Sequence, residues 1–417
     1  MPRAGQLKPE SGRRLSDLVS VGVLKAAFPP ELVEEVIVEV GVKEQRHRSL
    51  PAWVMAYYAM AMALYADGSY VDVLSMLTDG LSWTSGWEET WKLPTKSAIS
   101  QARIRLGPEA VEAMFRQGTR PLATVETPGS FLAGRRLVAI DGTTYDLADS
   151  TENDGFFGRP GVNRGERSAF PQARVVALAE CGIHAMFDAE IGVYGDGERE
   201  LAAPIIDRLT SDMLMLADRG FYSAALWQQA TDTGADLLWR ISKSVKPHPI
   251  RALPDGSWIV EIRPKKTPGQ NKPKPFQVRL IDYTVDNQTG QDAGEYRLVT
   301  TILDPDDVSA VDLAIAYTQR WEIESTFDEL KTHQRGPRVV LRSKSPEMVR
   351  QEIWGHLCCH HAIRKLMCGA AEHVGRDPDR LSSVAALNIS RASINNMPVV
   401  TQDQGFPALK GLDVIRV

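Results

Sequence analysis

The chain has 417 residues, of which 43% are hydrophobic and 24% charged, the balance of a soluble globular protein with room for two to four cored domains. Its net charge of −5 spreads no basic field over the whole surface, so a polyanionic partner would have to meet a local patch. The longest apolar run, Trp53 to Tyr65, is too short to span a bilayer, and the Pro-, Gly- and Arg-rich start has no apolar signal segment, which points to the cytoplasm and away from membranes.

The first 15 or so residues, with Gly5, Lys8, Pro9, Gly12, Arg13 and Arg14, read as disordered. Pro29-Pro30 opens a helix to about Val42, and Trp53 to Tyr65 and Ser69 to Leu81 give two more. Thr95 to Leu106 follows, with Gly107-Pro108 as a stop and Glu109 to Arg116 beyond it. Residues 1–125 therefore read as an all-α unit. Within it, S-A-I-S-Q-A-R-I-R-L-G resembles a DNA-recognition helix, with Arg103 and Arg105 able to reach phosphates or base edges. An amphipathic surface helix would look the same.

The pattern changes at Thr127-Pro128-Gly129. Arg135 to Thr143 is an apolar run that closes on Asp141-Gly142, read as a buried strand with an acid at its tip. Ala173 to Glu180 and His184 to Val193 form a hairpin about Cys181-Gly182-Ile183. Glu198 to Leu209 reads as a helix, with Glu198 and Glu200 as favourable charge at its start. Asp212 to Tyr222 is a second buried strand that runs through Asp218 to Gly220. A helix over Ser223–Thr233 and a strand over Ala235–Ile241 complete an α/β layer with a mixed sheet. Residues 243–303 then hold antiparallel strands, Trp258 to Ile262, Phe276 to Tyr283 and Tyr296 to Leu303. The lysine-rich loop Lys265 to Pro275 lies among them.

Next comes Y-T-Q-R-W-E-I-E-S-T-F-D-E-L-K. Tyr317, Arg320, Glu324 and Lys331 fall within roughly 60° of one another on a continuous helix, beside an apolar stripe of Ala316, Ile323, Phe327 and Leu330. After Arg335, Arg338, Arg342, Lys344 and Arg350 the chain turns helical again, from Glu347 to about Cys368. That helix contains H-L-C-C-H-H, in which His356, Cys358, Cys359, His360 and His361 read as buried packing residues rather than zinc ligands. The four cysteines, completed by Cys181 and Cys368, form no CxxC pair and fit a reducing compartment.

Asp141 and Asp218 each end an apolar strand, and Glu324 sits on a helix with positive groups and a hydroxyl beside it. Three carboxylates held together repel one another unless cations lie between them. Oxygen ligands of this kind suit magnesium or manganese, and two such ions can drive displacement at phosphorus.

These motifs resemble the insertion-element-four family of DDE transposases, the hairpin-forming cut-and-paste group. The matching pieces are I-D-G-T at Asp141, L-A-D-R-G-F-Y-S at Asp218 and the Tyr317, Arg320, Glu324, Lys331 spacing. The resemblance implies a ribonuclease-H-like mixed sheet over residues 126–242 and 304–335. It implies too a β insertion over 243–303, a helical DNA-binding domain over 1–125 and a helical C-terminal region over 336–417. Asp141, Asp218 and Glu324 would be catalytic and hold two magnesium or manganese ions. Tyr317, Arg320 and Lys331 would grip DNA phosphates, with Arg219 a further contact. Trp258 would stack on a flipped base, with Trp239 and Tyr296 as competitors. The partners implied are double-stranded terminal repeats, target DNA and a second copy of the chain, in the cytoplasm and on the nucleoid. The competing readings are a domesticated protein that binds repeats without cutting, and a standalone metal-dependent nuclease.

Overall fold

The computed structural model describes residues 22–46, 48–66, 68–85, 93–161, 168–264, 274–285, 294–334, 340–375, 377–378, 381, 386, 399–401 and 414–416. The expected disordered start, most of the lysine-rich loop, and Arg335 and Arg338 lie outside these residues. The chain divides into two compact units, Pro121–Asp328 and a second one built from Met1–Arg120 together with Glu329–Val417.

The first helices are α1 (Pro30–Glu39), α2 (Ala52–Leu64), α3 (Tyr70–Ser85) and α4 (Lys96–Gly118). Thr95 caps α4, accepting from the Ala98 N–H at 3.3 Å. Gly107-Pro108 kinks α4 where the sequence calls for a stop.

The central unit then lays down β1 (Phe131–Leu132), β2 (Arg135–Asp146), α5 (Thr151–Phe157), β3 (Gln172–Glu180), β4 (Met186–Val193), α6 (Glu198–Ile206), β5 (Met213–Ala217), α7 (Ala224–Asp232) and β6 (Asp236–Arg240). It continues with β7 (His248–Ala252), β8 (Trp258–Ile262), β9 (Phe276–Val285), β10 (Gly294–Thr300), α8 (Ala310–Thr318) and α9 (Trp321–Asp328). The described strands of this unit form one mixed sheet in the order β4-β3-β2-β5-β6-β10-β9-β8-β7, with β1 on β2. Only β2–β5 and β5–β6 are parallel, and the rest of the sheet is antiparallel. The strands of 243–303 thus lengthen the same sheet, because β10 pairs with β6. On one face Leu201, Ile205 and Ile206 of α6 and Leu226 and Trp227 of α7 bury against Val138, Ile140, Val176, Met215 and Trp239. Helix α9 packs on β2 and β3. Successive side chains of the central strands β3, β5 and β6 are buried on both faces, as strands covered on two sides require.

The other unit continues with a π-helix (Glu329–Gln334) and α10 (Pro346–Val374), and two short strands, Val399–Thr401 and Val414–Arg416, then pair in parallel, so the region 336–417 is not helical throughout as its sequence suggests. In this unit α2 is buried on nearly all sides, packed by α1, α3, α4 and α10. The H-L-C-C-H-H run lies inside α10, and all five of its His and Cys side chains are buried. No helix among the described residues is long and apolar enough to cross a membrane.

Candidate active site

Strand register brings the first two acids together. The parallel pairing of β2 with β5 ends at Ile140 opposite Ala217, and the next residue on each strand is Asp141 and Asp218. Neighbouring strands lie about 5 Å apart, so the two acids stand side by side at the carboxyl edge of the parallel pair. One expectation needs correction. Asp141 is not the tip of its strand, because β2 runs on to Asp146, held by β3 alone. Asp-Gly reads as a turn in sequence, but Gln172 to Ala177 supply a partner that keeps the backbone extended.

The third acid comes from α9. Arg320 lies in the turn between α8 and α9, and its guanidinium spans Asp141 (Nη1 to Oδ2, 3.5 Å) and Glu324 (Nη2 to Oε1, 3.1 Å). The start of α9 is anchored nearby: the Glu322 carboxylate accepts from the Gly182 N–H. The Cys181 thiol reaches the Gln319 carbonyl at 3.7 Å. Roughly 200° around the helix from Glu322, Glu324 is left to turn toward Arg320.

The electrostatics reflect this crowding. Burial raises the Asp141 carboxyl to about 6; the Gly142 N–H and Arg320 oppose that rise, while Glu324 and Glu198 add to it. Asp218 Oδ1 is buried and accepts no hydrogen bond among the described residues, with an Arg240 nitrogen 3.8 Å away. Burial works against the Arg320 charge, but Tyr317, Asp141, Asp218 and Glu324 together raise its pKa. Among the described residues no three His, Cys, Asp or Glu side chains form a ready cation cage. An arginine, rather than a cage, holds Asp141 and Glu324 together.

The remaining candidates are placed as follows. Tyr317, expected to grip phosphate, is 2% exposed, and its hydroxyl donates to the Ala217 carbonyl at 3.3 Å. It braces the end of β5 immediately before Asp218. Arg320 is likewise buried, with its guanidinium turned to carboxylates. Tyr317, Arg320 and Glu324 do not share one continuous helix, because the chain breaks at Gln319-Arg320, and Lys331 follows on the π-helix, half-buried, in the other unit. Their apolar companions Ala316, Ile323, Phe327 and Leu330 are all buried, as their spacing predicts.

Arg103 corrects the recognition-helix reading. It is 2% exposed, and its guanidinium donates to Gln351 (2.9 Å), the Tyr70 hydroxyl (2.9 Å) and Ser343 (3.1 Å) within its own unit. Arg105 is exposed, beside Arg46 and Arg48. Arg219 is exposed next to Asp218. Trp258 is 44% exposed, whereas Trp239 is fully buried against Trp227, and Tyr296 stacks on Tyr283 at 5.2 Å.

Three residues near the acids escaped the sequence reading. Arg240 follows Trp239, the register partner of Ala217, so pairing β5 with β6 would have found it beside Asp218. Trp321 is half exposed with Arg320 stacked on its ring at 4.6 Å; its place next to Arg320 was the available signal. Glu198 reads in sequence as a helix-terminal charge, yet a Cβ on Gly142 would lie 2.8 Å from its carboxylate.

Known proteins resemble the chain over most of its length. Residues 18–116 match the family model "Insertion element 4 transposase N-terminal", and residues 132–361 match "Transposase DDE domain". The chain is 31% identical over 361 residues to the transposase InsG for insertion sequence element IS4 of Escherichia coli K12, covering 85% of this chain and 78% of that protein. A solved piggyBac transposase, a synaptic complex with hairpin DNA, aligns at TM-score 0.44 and 10% identity over 94% of this chain and 83% of that one, a likeness too loose to argue from.

Proposed function

Since the chain belongs to the insertion-element-four family of DDE transposases, we propose that it cuts the ends of a mobile element and joins them to target DNA, with Asp141, Asp218 and Glu324 as its catalytic carboxylates. The observation that carries this reading is the register that sets Asp141 beside Asp218, with Arg320 tying Asp141 to Glu324. On this reading residues 126–242 and 304–335 hold the ribonuclease-H-like core, residues 243–303 are an insertion whose strands extend its sheet, and residues 1–125 and 336–417 lie outside that core in sequence.

The donor set fits hard divalent cations, two magnesium or manganese ions. All three groups offer carboxylate oxygens, and the buried Asp218 Oδ1, without a hydrogen bond among the described residues, is an oxygen that a cation would satisfy. Bound there, such ions supply Lewis acidity at phosphorus and a more acidic attacking water or hydroxyl. The chain's own groups do the rest. Arg320 holds the acids in place, and its two-pronged donor also matches the oxygens of a phosphate. Tyr317 fixes the end of β5 and with it Asp218. Arg219, Lys331 and Arg105 offer charge to the DNA backbone. Trp258 and Trp321 offer exposed rings on which an unpaired base can stack. The reaction order we read is hydrolysis at the element end, attack of the freed 3′-hydroxyl on the opposite strand to close a hairpin, reopening, and joining to target. Two ends require two copies of the chain.

The test is cleavage of an end fragment with magnesium present. The parent should yield nicked, hairpin and strand-transfer products. Asp141→Ala, Asp218→Ala and Glu324→Ala should each lose product by at least about a hundredfold. Variants that cut as well as the parent would show the site misassigned. Cutting without joined product would favour a standalone nuclease, and a stable complex with no product under any divalent ion a domesticated DNA-binding protein.

A further inference from the structure

We propose that Glu198 is a fourth cation-facing carboxylate of the Asp141–Asp218–Glu324 site, an inference that rests on the catalytic reading above. The argument begins at Gly142, which follows Asp141. Its backbone needs no left-handed angle, so conformation does not explain the glycine there. Space does: an added Cβ would lie 2.8 Å from Glu198 Oε1 and 3.0 Å from its carboxyl carbon. The other oxygen of the same carboxylate, Oε2, would lie 3.9 Å from a Cβ on Gly220, two residues past Asp218. One carboxylate therefore sits between the segments that follow both strand acids. It fills the notch left where β2 runs on beyond the end of β5.

Helix chemistry does not account for this position. Glu198 is the first residue of α6, where a carboxylate is favourable, but it can satisfy that preference while pointing into water. The cap itself belongs to Glu200, whose Oε2 accepts from the Gly197 N–H at 3.2 Å. Glu198 instead turns back over the strands toward Asp141, where its charge is felt as a repulsion. Among the described residues it pairs with Arg174 of β3, 3.5 Å away. The pattern matches that of the other acids. Asp141 and Glu324 share Arg320, Asp218 faces Arg240, and Glu198 faces Arg174. Each of these carboxylates has an arginine nearby, and Glu324 and Glu198 both repel the charge of Asp141. Carboxylates crowded in this way lower their energy by taking up a divalent cation. Glu198 is 38% exposed, so an ion can reach it without unfolding the notch.

The rival is a plain Arg174–Glu198 ion pair, and two readouts separate them. Binding of Mn²⁺ alone to the full chain is measured by titration calorimetry for the parent, Asp141→Asn and Glu198→Gln. Melting in EDTA reports on the fold. Glu198→Gln keeps the shape and can still bond Arg174, so it should melt at or above the parent's temperature. Its Mn²⁺ affinity should fall about tenfold or more, and raised Mn²⁺ should restore end cleavage. Asp141→Asn should lose the Mn²⁺ signal. If Asp141→Asn loses it while Glu198→Gln binds like the parent, Glu198 is an ordinary ion-pair partner and the catalytic reading stands. If Asp141→Asn itself binds like the parent, the catalytic reading fails and this inference falls with it. Should Glu198→Gln not melt cooperatively, Glu198→Asp is read in its place, because a carboxylate one methylene shorter withdraws from the notch and carries the same expectation.

Discussion

Asp141 is held at a cost. Its carboxyl, mostly buried, titrates at about 6 rather than near the ordinary 3.8. Well below pH 4 the group is protonated in both folded and unfolded chains and contributes nothing. As pH rises through 4 to 6 the unfolded chain ionises first, and stability falls; above 6 the full cost is present, on the order of 3 kcal/mol. Asp141→Asn removes that cost. Without divalent metal the variant should be more stable than the parent at pH 8, by up to about 3 kcal/mol, and the gain should vanish near pH 4. Urea melts at the two pH values check this, and a variant no more stable at pH 8 would refute the account. At this scale residue types were legible, but their exposure was not. The sequence marks Tyr317, Arg320 and Glu324 as chemical residues. It could not reveal that Tyr317 and Arg320 point inward, because burial of an arginine depends on carboxylates from β2, far away in the chain. Arg103 misled for the same reason: its partners Gln351 and Ser343 lie some 240 residues on.

The elements were more legible than their ends. The order of β2, β3, β4, α6, β5, α7 and β6 follows from apolar runs and turn residues, and β8 spans the residues expected of it, but the two-residue β1 and the short α5 between β2 and β3 carry no such signal. Strand β7 was missed because His248–Ala252 is exposed along its whole length and shows no apolar alternation. The break between α8 and α9 was invisible, since Ala316, Ile323, Phe327 and Leu330 keep helical spacing across it and no Gly or Pro marks it. What sets α9 is tertiary. Glu322 is fixed to the Gly182 N–H at the tip of the β3–β4 hairpin, and Ser130 Oγ donates to the Cys181 carbonyl at 2.8 Å. Gly182 has φ +78°, and a Cβ there would run into Ser130 Oγ and the Pro128 carbonyl. Gly182→Ala should therefore cost about 2 kcal/mol or more from the backbone angle and the collision. It should also depress cleavage in the fraction that still folds, because the anchor of the Glu324 helix shifts. Thermal melts and single-turnover cleavage measure the two effects. An alanine variant with parental stability would refute the anchoring role.

The connectivity of the whole molecule makes an unequal demand on its parts. Pro121–Asp328 is one uninterrupted stretch with its own sheet, covered by α6 and α7 and by α9. The helical unit is assembled from both ends of the chain, and α10 packs on α2 and α4. Nothing local in the sequence announces that segments more than 200 residues apart share one core, so residues 1–125 and 336–417 read there as separate regions. Helix α2 makes the dependence physical. All but one of its thirteen residues are buried, so without α10 it exposes an apolar face that water penalises by about 25 cal/mol per Å². Residues 121–328 produced alone should melt cooperatively, because no strand of their sheet is missing. Residues 1–120 alone should not, and should bind a hydrophobic dye as a loosely packed state does. Adding residues 329–417 as a second chain should restore helical content and a cooperative melt. If residues 1–120 melt cooperatively by themselves, α10 is a surface addition rather than part of the core. The central fragment serves a second purpose, for it holds Asp141, Asp218, Glu324 and Glu198 together. Mn²⁺ binding by that fragment would assign the carboxylate site to the sheet unit independently of any DNA contact the helical unit makes.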